Sequence, residues 1–365
     1  MAAPDRPTTA PPIPRRAEDV TGAWLQTVLG AGGHHAVIED VAVTPIGTGQ
    51  TGATFRVTPR YGSGTTTLPA TFVLKLPTGD DSIRAGVTLG YLSEVTFYTE
   101  VADHTRAPIP RCYHSEITED GAEFALLLDD LAPAVQGDQI AGCDAEAARL
   151  AVTALAGLHG PSWCDPAWLE LPVAMPKPGD TAGAGGLGDV ARMASDMVLE
   201  RVGDRMSAED RETMSAALDL VGPWLLAHTD RYAVMHGDYR LDNLMFDTDR
   251  VAVVDWQTVG IGLPARDLAY FTATSLDPEI RAACESDLVD AYHSALLAHG
   301  VTDYSRETCW QDYRFGMVQG PLITALGCAF ASPTARGEEL FLVMLGRSCR
   351  AIRELGTLDL IRAAS

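Results

Sequence analysis

Asp238, Asn243 and Asp255 carry the most specific chemistry in the chain. They stand in VMHGDYRLDNLMFD followed by VAVVDWQ, with the amide five residues after the first carboxylate and the second carboxylate twelve residues further on. Phosphoryl transfer from a magnesium nucleotide asks for such a set. One carboxylate orients the attacking hydroxyl and accepts its proton, while an amide oxygen and a second carboxylate hold hard Mg²⁺ ions against the phosphates. Asp238 fits the first role, and Asn243 and Asp255 fit the second. An H-G-D triplet alone is also a common turn, and an aspartate after an apolar strand a common helix cap. The ordered combination, in its strand and loop context, is what makes the signal specific.

Rigid elements must aim these groups. Asp255 ends the apolar run VAVV, which reads as a strand paired with NLMFD through a polar turn at 248–250. Upstream, VAVTPIG, ATFRVTP, ATFVLKLP, RCYHSEI and EFALLLDDL are short, β-branched or aromatic, and punctuated by Gly or Pro, as strands are. Helices fit 17–29, with Val20, Trp24, Leu25 and Val28 on one face, and SEVTFYTEVAD. Beyond Leu131 the pattern turns helical. Asp144 can cap a helix whose apolar face is Ala147, Leu150, Ala151, Ala154, Leu155 and Leu158. The glycine-rich run at 179–189 has no strand before it and reads as a flexible loop. The expected class is α+β. A disordered arm covers 1–16, a β-rich nucleotide-binding lobe 17–130, and a larger helical lobe 131–365 with the catalytic loop and the acceptor site.

The pattern H-G-D-x-x-x-x-N followed by a strand ending in Asp resembles the aminoglycoside phosphotransferase-like branch of the protein-kinase-like fold. That branch includes antibiotic kinases, choline kinases, ecdysteroid-kinase-like proteins and the kinase domain attached to some acyl-CoA dehydrogenases. The form HGDYRLDNLMF, with Arg240 and Asp242 inside the loop, looks most like the last two. Many antibiotic kinases carry a second histidine where this chain has Arg240 or Leu241. Asp255-Trp256-Gln257 stands in place of the D-F-G triplet of protein kinases, which agrees with a small-molecule kinase. The resemblance implies a bilobal fold and ATP with Mg²⁺ as cofactors.

It extends upstream, over most of the chain after residue 17. Gly47, Gly49 and Gly52 have G-x-G-x-x-G spacing, and a strand follows where a dinucleotide fold would open a helix, so a glycine-rich hairpin over phosphates fits better. A plain hairpin turn is the alternative. Lys75 lies in the apolar strand FVLKL, where a lysine is costly unless paired. Glu94 is its expected partner and Glu100 the fallback, and the pair would hold Lys75 against the nucleotide phosphates. In the resembling family EFALLLDDL is the hinge. Backbone groups around Asp129 and Leu131 would then bond adenine, sandwiched by apolar side chains such as Ile46 and Leu128, with the Asp129 and Asp130 side chains solvated. His159 and Asp267 read as structural hydrogen-bond partners, Asp267 by capping a helix or holding the catalytic loop.

Lys plus Arg is 27 and Asp plus Glu is 49 among 365 residues, a net charge of −22. That argues against nucleic acid and against anionic membrane surfaces as partners. Seven scattered cysteines with no C-x-x-C pair, and an N-terminus without an apolar h-region, point to a reducing cytoplasm. The acceptor pocket is expected among residues 193–202 and 214–226 and the helices carrying Trp310, Tyr313, Phe315, Met317 and Phe330. Their apolar bias favours a small-molecule hydroxyl on an apolar or acyl body. Asp189 with Asp196, Glu200 and Asp204, the last three at i, i+4 and i+8, supports the alternative of an aminoglycoside. A non-catalytic nucleotide-binding pseudokinase is the other alternative, opposed by the intact Lys75, Asp238, Asn243 and Asp255. The oligomeric state and the choice between ATP and GTP have no signal in the sequence.

Overall fold

The β-branched and aromatic stretches near the N-terminus form β1 (Ile38–Pro45), β2 (Gly52–Tyr61), β3 (Phe72–Pro77), β4 (Cys112–Ile117) and β5 (Phe124–Asp129) in the computed structural model. It describes residues 12–46, 52–63, 66–78 and 81–364, with backbone alone over 81–86. Residues 1–11 of the expected arm, and Gly47 and Gly49, lie outside the described residues. The strands make one sheet in the order β1-β2-β3-β5-β4, antiparallel throughout. Alternation along β3 splits its side chains between two faces. Phe72, Leu74 and Leu76 are fully buried on one, and Val73 and Lys75 turn to the other.

Helix α1 (Gly22–Ala31) packs Trp24, Leu25, Val28 and Leu29 into the Phe72–Leu74–Leu76 core. It starts later than the expected 17–29 because Thr21 Oγ1 accepts the Trp24 N–H at 3.1 Å, and 17–19 form a separate 3₁₀ turn. Ile13, inside the stretch expected to be an arm, packs against the same core. Helix α2 (Asp81–Thr96) runs from β3 toward β4 in the chain and carries Glu94. The chain divides into two compact units, the first ending with Thr99 and resuming over Pro110–Leu131, the second formed by Glu100–Ile109 and Ala132–Ser365.

The second unit is helical around two small sheets. Its elements are β6 (Val135–Gln136), α3 (Ala145–His159), α4 (Thr181–Val202), α5 (Ala208–Asp219), α6 (Val221–Leu226), β7 (Ala233–Met235), β8 (Leu244–Asp247), β9 (Arg250–Val253), β10 (Gly260–Gly262), α7 (Ala265–Ser275), α8 (Pro278–Ala298), α9 (Arg306–Phe315), α10 (Gln319–Phe330), α11 (Ala335–Leu355) and α12 (Thr357–Ala364). Asp144 caps α3 as expected, accepting from Ala147 N at 2.9 Å. The pair β8–β9 is antiparallel, with Leu244 opposite Val253.

The run at 179–189 is a correction. Its residues 181–189 open α4 and only Gly179 and the N-cap Asp180 lie before the helix. Asp180 Oδ1 caps it by accepting from Gly183 N at 2.9 Å, and Ala184 and Gly188 are buried, Gly188 close against the Gly222 backbone of α6. Small residues that lower intrinsic helix propensity here allow tight helix packing. Helix α7 is buried along its whole length. Fully buried Leu268, Tyr270 and Phe271 each stabilise the unit by about 1.5–3 kcal/mol. A helix surrounded by core is a rigid mount, and it carries Asp267 and Tyr270.

Candidate active site

Buried β7 leads into the loop at 236–243 and pairs with β10, Met235 opposite Gly260. The chain then turns at Gly237. Its φ is +84°, and a Cβ there would stand 2.3 Å from Thr258 O, so only glycine fits. The turn is held from several sides. Asp267 accepts the N–H groups of His236 at 2.6 Å and of Gly237 at 3.0 Å. Thr258 Oγ1 donates to His236 O and Gln319 Nε2 to Gly237 O, each at 2.9 Å. Further along, the Tyr239 hydroxyl donates to Ala151 O and Leu241 N donates to Gln139 Oε1, both at 2.7 Å.

Asp267 is fully buried, and burial alone would raise its pKa. The hydrogen bond and charge of His159, with the His236 contacts, outweigh that and hold the carboxyl below its usual range. His159 spans Asp267 Oδ2 at 3.3 Å and the Tyr292 hydroxyl at 2.8 Å. Both residues take the structural parts the sequence assigned them. The tautomer of His236 follows from its neighbours. Nε2 lies 3.1 Å from the carbonyl of Val254, an acceptor, so Nε2 carries the proton. Nδ1 is then free to accept the Asp238 N–H at 3.3 Å. His236 is a strut between the strand end and the loop.

Asp238 meets three side chains. The Tyr270 hydroxyl donates to Oδ1 at 2.6 Å. Arg240 Nε and Asn243 Nδ2 both donate to Oδ2 at 3.1 Å. Asn243 Nδ2 also donates to Asp238 O at 2.8 Å. Both of those partners are acceptors, so the amide nitrogen must face Asp238 and the amide oxygen must face away. Arg240 donates through its other arm to Asp242 Oδ2 at 2.8 Å. Burial would lower its pKa, but the charges of Asp238 and Asp242 raise it overall. Burial, then the charge of Asp238, lifts the Tyr270 hydroxyl well above its usual range, so Tyr270 stays a donor.

Asp255 follows β9. The Val254 N–H donates to Asn243 O at 3.0 Å, which ties the strand end to the 236–243 loop at the asparagine. Asp255 itself has φ +68°, a left-handed conformation that Asp tolerates better than most residues but that still costs about 1 kcal/mol or more.

The first unit brings together the other predicted pair. Lys75 Nζ donates to both oxygens of Glu94, at 2.6 and 2.7 Å, and the two side chains are 13% and 1% exposed. Glu94 is therefore the partner, and Glu100 is exposed. Gly52 opens β2 opposite Pro77. The Asp129 N–H donates to Arg111 O at 2.9 Å, whereas the Leu131 N–H meets no acceptor among the described residues. The side chains of Asp129 and Asp130 are not merely solvated. Asp129 Oδ1 accepts the Tyr113 hydroxyl at 2.8 Å, and Asp130 takes both arms of Arg56 at 2.6 and 3.2 Å.

The expected acceptor lining divides. Tyr313, Phe315 and Met317 are core. Met193, Met197 and Phe330 are exposed. Asp196 and Glu200 are exposed on α4, but the stripe stops there, because α4 ends at Val202 and Asp204 lies in the 3₁₀ turn after it. Sequence reasoning missed Tyr270, Gln319 and Gln139. The available signal was general: a buried Tyr or Gln in an apolar helix needs a hydrogen-bond partner.

An antiparallel five-strand sheet with a buried Lys–Glu pair, and a helical unit carrying the Asp238–Asn243–Asp255 loop, define a protein-kinase-like fold. The sequence profile of the phosphotransferase enzyme family (APH) matches residues 42–307, and the chain belongs to that family. It is an enzyme of the phosphotransferase class. Solved structures of similar fold include choline kinase from Cryptosporidium parvum Iowa II, 11% identical, covering 88% of this chain and 91% of that one with a TM-score of 0.55. A microcompartment-associated aminopropanol kinase is 16% identical, covers 92% and 99%, and has a TM-score of 0.52. Mouse acyl-CoA dehydrogenase family member 10 is 38% identical over 60 residues, 15% of this chain, and the match spans 6% of that protein's length.

Proposed function

We propose that the chain is a kinase that transfers the terminal phosphoryl group of ATP, with Mg²⁺, to a hydroxyl of a small molecule with an apolar or acyl body. The observation that carries this reading is the arrangement around Asp238, a carboxylate oriented by Tyr270, Arg240 and Asn243. Asp238 takes the proton of the acceptor hydroxyl as that oxygen bonds the terminal phosphorus. The bond from phosphorus to the nucleoside diphosphate oxygen breaks, and its electron pair leaves on the diphosphate.

The amide oxygen of Asn243, turned away from Asp238, and the carboxylate of Asp255 are hard oxygen donors, a set that fits Mg²⁺. Mg²⁺ held there would neutralise charge on the phosphates. In the first unit, the nucleotide-binding part of this proposal, Glu94 fixes the Lys75 ammonium for the α- and β-phosphates. Gly47, Gly49 and Gly52 cover the phosphates, and the backbone at Asp129 and Leu131 recognises the base.

The acyl-type acceptor rests on the form HGDYRLDN, on exposed Met193, Met197 and Phe330, and on the match to a protein named for the acyl-CoA dehydrogenases. The net charge of −22 and exposed Asp196 and Glu200 favour the second reading, an aminoglycoside acceptor. All seven cysteines are free, and burial pushes Cys112, Cys143, Cys309 and Cys349 up to about 12, which keeps those four thiols protonated. Among the described residues no helix is long and apolar enough to cross a membrane. The test is ADP release from Mg-ATP against a panel of hydroxyacyl-CoAs, steroid alcohols, amino alcohols and kanamycin-type sugars. Turnover of the hydroxyacyl or steroid alcohols is expected, and efficient turnover of the sugars alone would replace the acceptor.

A further inference from the structure

An ionised carboxylate offers about four lone-pair sites, two on each oxygen. Among the described residues, Asp238 fills three of them. Oδ2 accepts twice, from Arg240 Nε and Asn243 Nδ2, both at 3.1 Å. Oδ1 accepts once, from the Tyr270 hydroxyl at 2.6 Å. One site is left, and it lies on Oδ1 beside Tyr270. The donor is itself fixed. Tyr270 is fully buried in α7, the helix whose Asp267 holds the His236–Gly237 turn. The catalytic loop and the tyrosine therefore share one mount.

We propose that Tyr270 is a positioning residue for Asp238. By capping Oδ1 opposite the doubly bonded Oδ2 it fixes the carboxylate torsion, so that the single remaining lone pair on Oδ1 receives the proton of the attacking hydroxyl. Without Tyr270 the carboxylate keeps its two bonds at Oδ2 and rotates about that anchor, and the reacting lone pair is no longer aimed. The proposal rests on Asp238 being the base of a phosphoryl transfer. It adds which oxygen reacts and which residue aims it.

The test is a double-mutant cycle on the full chain, read as basal Mg-ATP hydrolysis, in which water is the acceptor and no identified substrate is needed. Tyr270→Phe keeps the ring and removes the donor. The expected loss in kcat is about 10–100-fold with the KM for Mg-ATP unchanged, since small misplacements of a reacting group cost up to ~10²-fold. In an Asp238→Asn background the same change is expected to alter kcat by less than about threefold, because Tyr270 acts through the carboxylate that is gone. Equal losses in both backgrounds overturn the proposal, as does a Tyr270→Phe enzyme within about twofold of wild type. Tyr270→4-aminophenylalanine restores a donor and is expected to recover most of the rate. It also covers the case in which the Phe variant folds poorly, and failure to recover in a folded protein overturns the proposal. An Asp238→Asn loss under tenfold overturns the base assignment itself, an outcome distinct from failure at Tyr270 alone.

Discussion

The carboxylate of Asp267 accepts two consecutive backbone N–H groups, from His236 at 2.6 Å and Gly237 at 3.0 Å, so a residue on α7 sets the entry to the proposed catalytic loop. Asp267→Ala leaves those buried donors without an acceptor and removes one of the two partners of His159. The expected cost is about 3–5 kcal/mol of stability, measured by urea unfolding at pH 7. Asp267 is held below the usual carboxylate range in the folded state. Its stabilisation is therefore complete above its unfolded pKa, near ~3.9, and is lost as pH falls through the lower folded value. The deficit of the Ala variant is expected to narrow as pH drops below about 4. A deficit constant from pH 7 to pH 3 would contradict this.

Lys75 and Glu94 form a buried pair, so stability and nucleotide binding separate at this site. Lys75→Met removes the ammonium beside the buried Glu94 carboxylate and is expected to cost about 3–5 kcal/mol. Lys75→Met with Glu94→Leu replaces both charges by apolar groups and is expected to regain most of that loss. Neither variant is expected to melt higher with Mg-ATP. Wild-type nucleotide stabilisation in the double variant would remove Lys75 from the phosphate site.

Asp255 has φ +68°, so alanine there would add backbone strain to the loss of the proposed metal ligand. Asp255→Asn is the cleaner variant, since Asn tolerates the left-handed region. A ligand that binds only the folded state stabilises it by about 2.7 kcal/mol at 100-fold over Kd. Wild type is expected to show a Mg-ATP melting shift of that order, and Asp255→Asn to lose most of it. A full shift in the variant would contradict the metal assignment.

Kinetics with acceptor should divide the two acceptor readings. Asp196 and Glu200 are exposed on α4. Neutralising both as Asp196→Asn and Glu200→Gln is expected to leave turnover of a hydroxyacyl or steroid alcohol within about twofold, because salt screens distant surface charges over ~8–10 Å. A tenfold or greater rise in KM for a kanamycin-type sugar would favour the aminoglycoside reading instead.

The parts of the site that lie close together in sequence could be read from it. Asp238 and Asn243 share one loop, Asp255 ends the next hairpin, and Lys75 on an apolar strand demanded a carboxylate that Glu94 supplies. What stayed hidden depends on contacts across the fold. Tyr270 reaches Asp238 over 32 residues, and Gln319 reaches Gly237 over 82. Neither side chain carries local periodicity or capping that would single it out. The glycine-rich start of α4 failed for a related reason. Its intrinsic helix propensity is poor, and the close approach of Gly188 to the Gly222 backbone, which favours small residues there, is a tertiary contact. Asp204 was misplaced because helix ends are less legible than helix interiors, and α4 stops at Val202.

The central claim is that Asp238 is the base of a Mg-ATP-dependent phosphoryl transfer. The most direct measurement is the rate of ADP release by Asp238→Asn beside wild type, with Mg-ATP binding followed in parallel by thermal melting. Asn keeps the size of the side chain but cannot take the proton. The account predicts a loss in kcat of ~10²–10⁴-fold with the Mg-ATP melting shift retained. A folded, nucleotide-binding Asp238→Asn enzyme that keeps more than a tenth of wild-type turnover would contradict it.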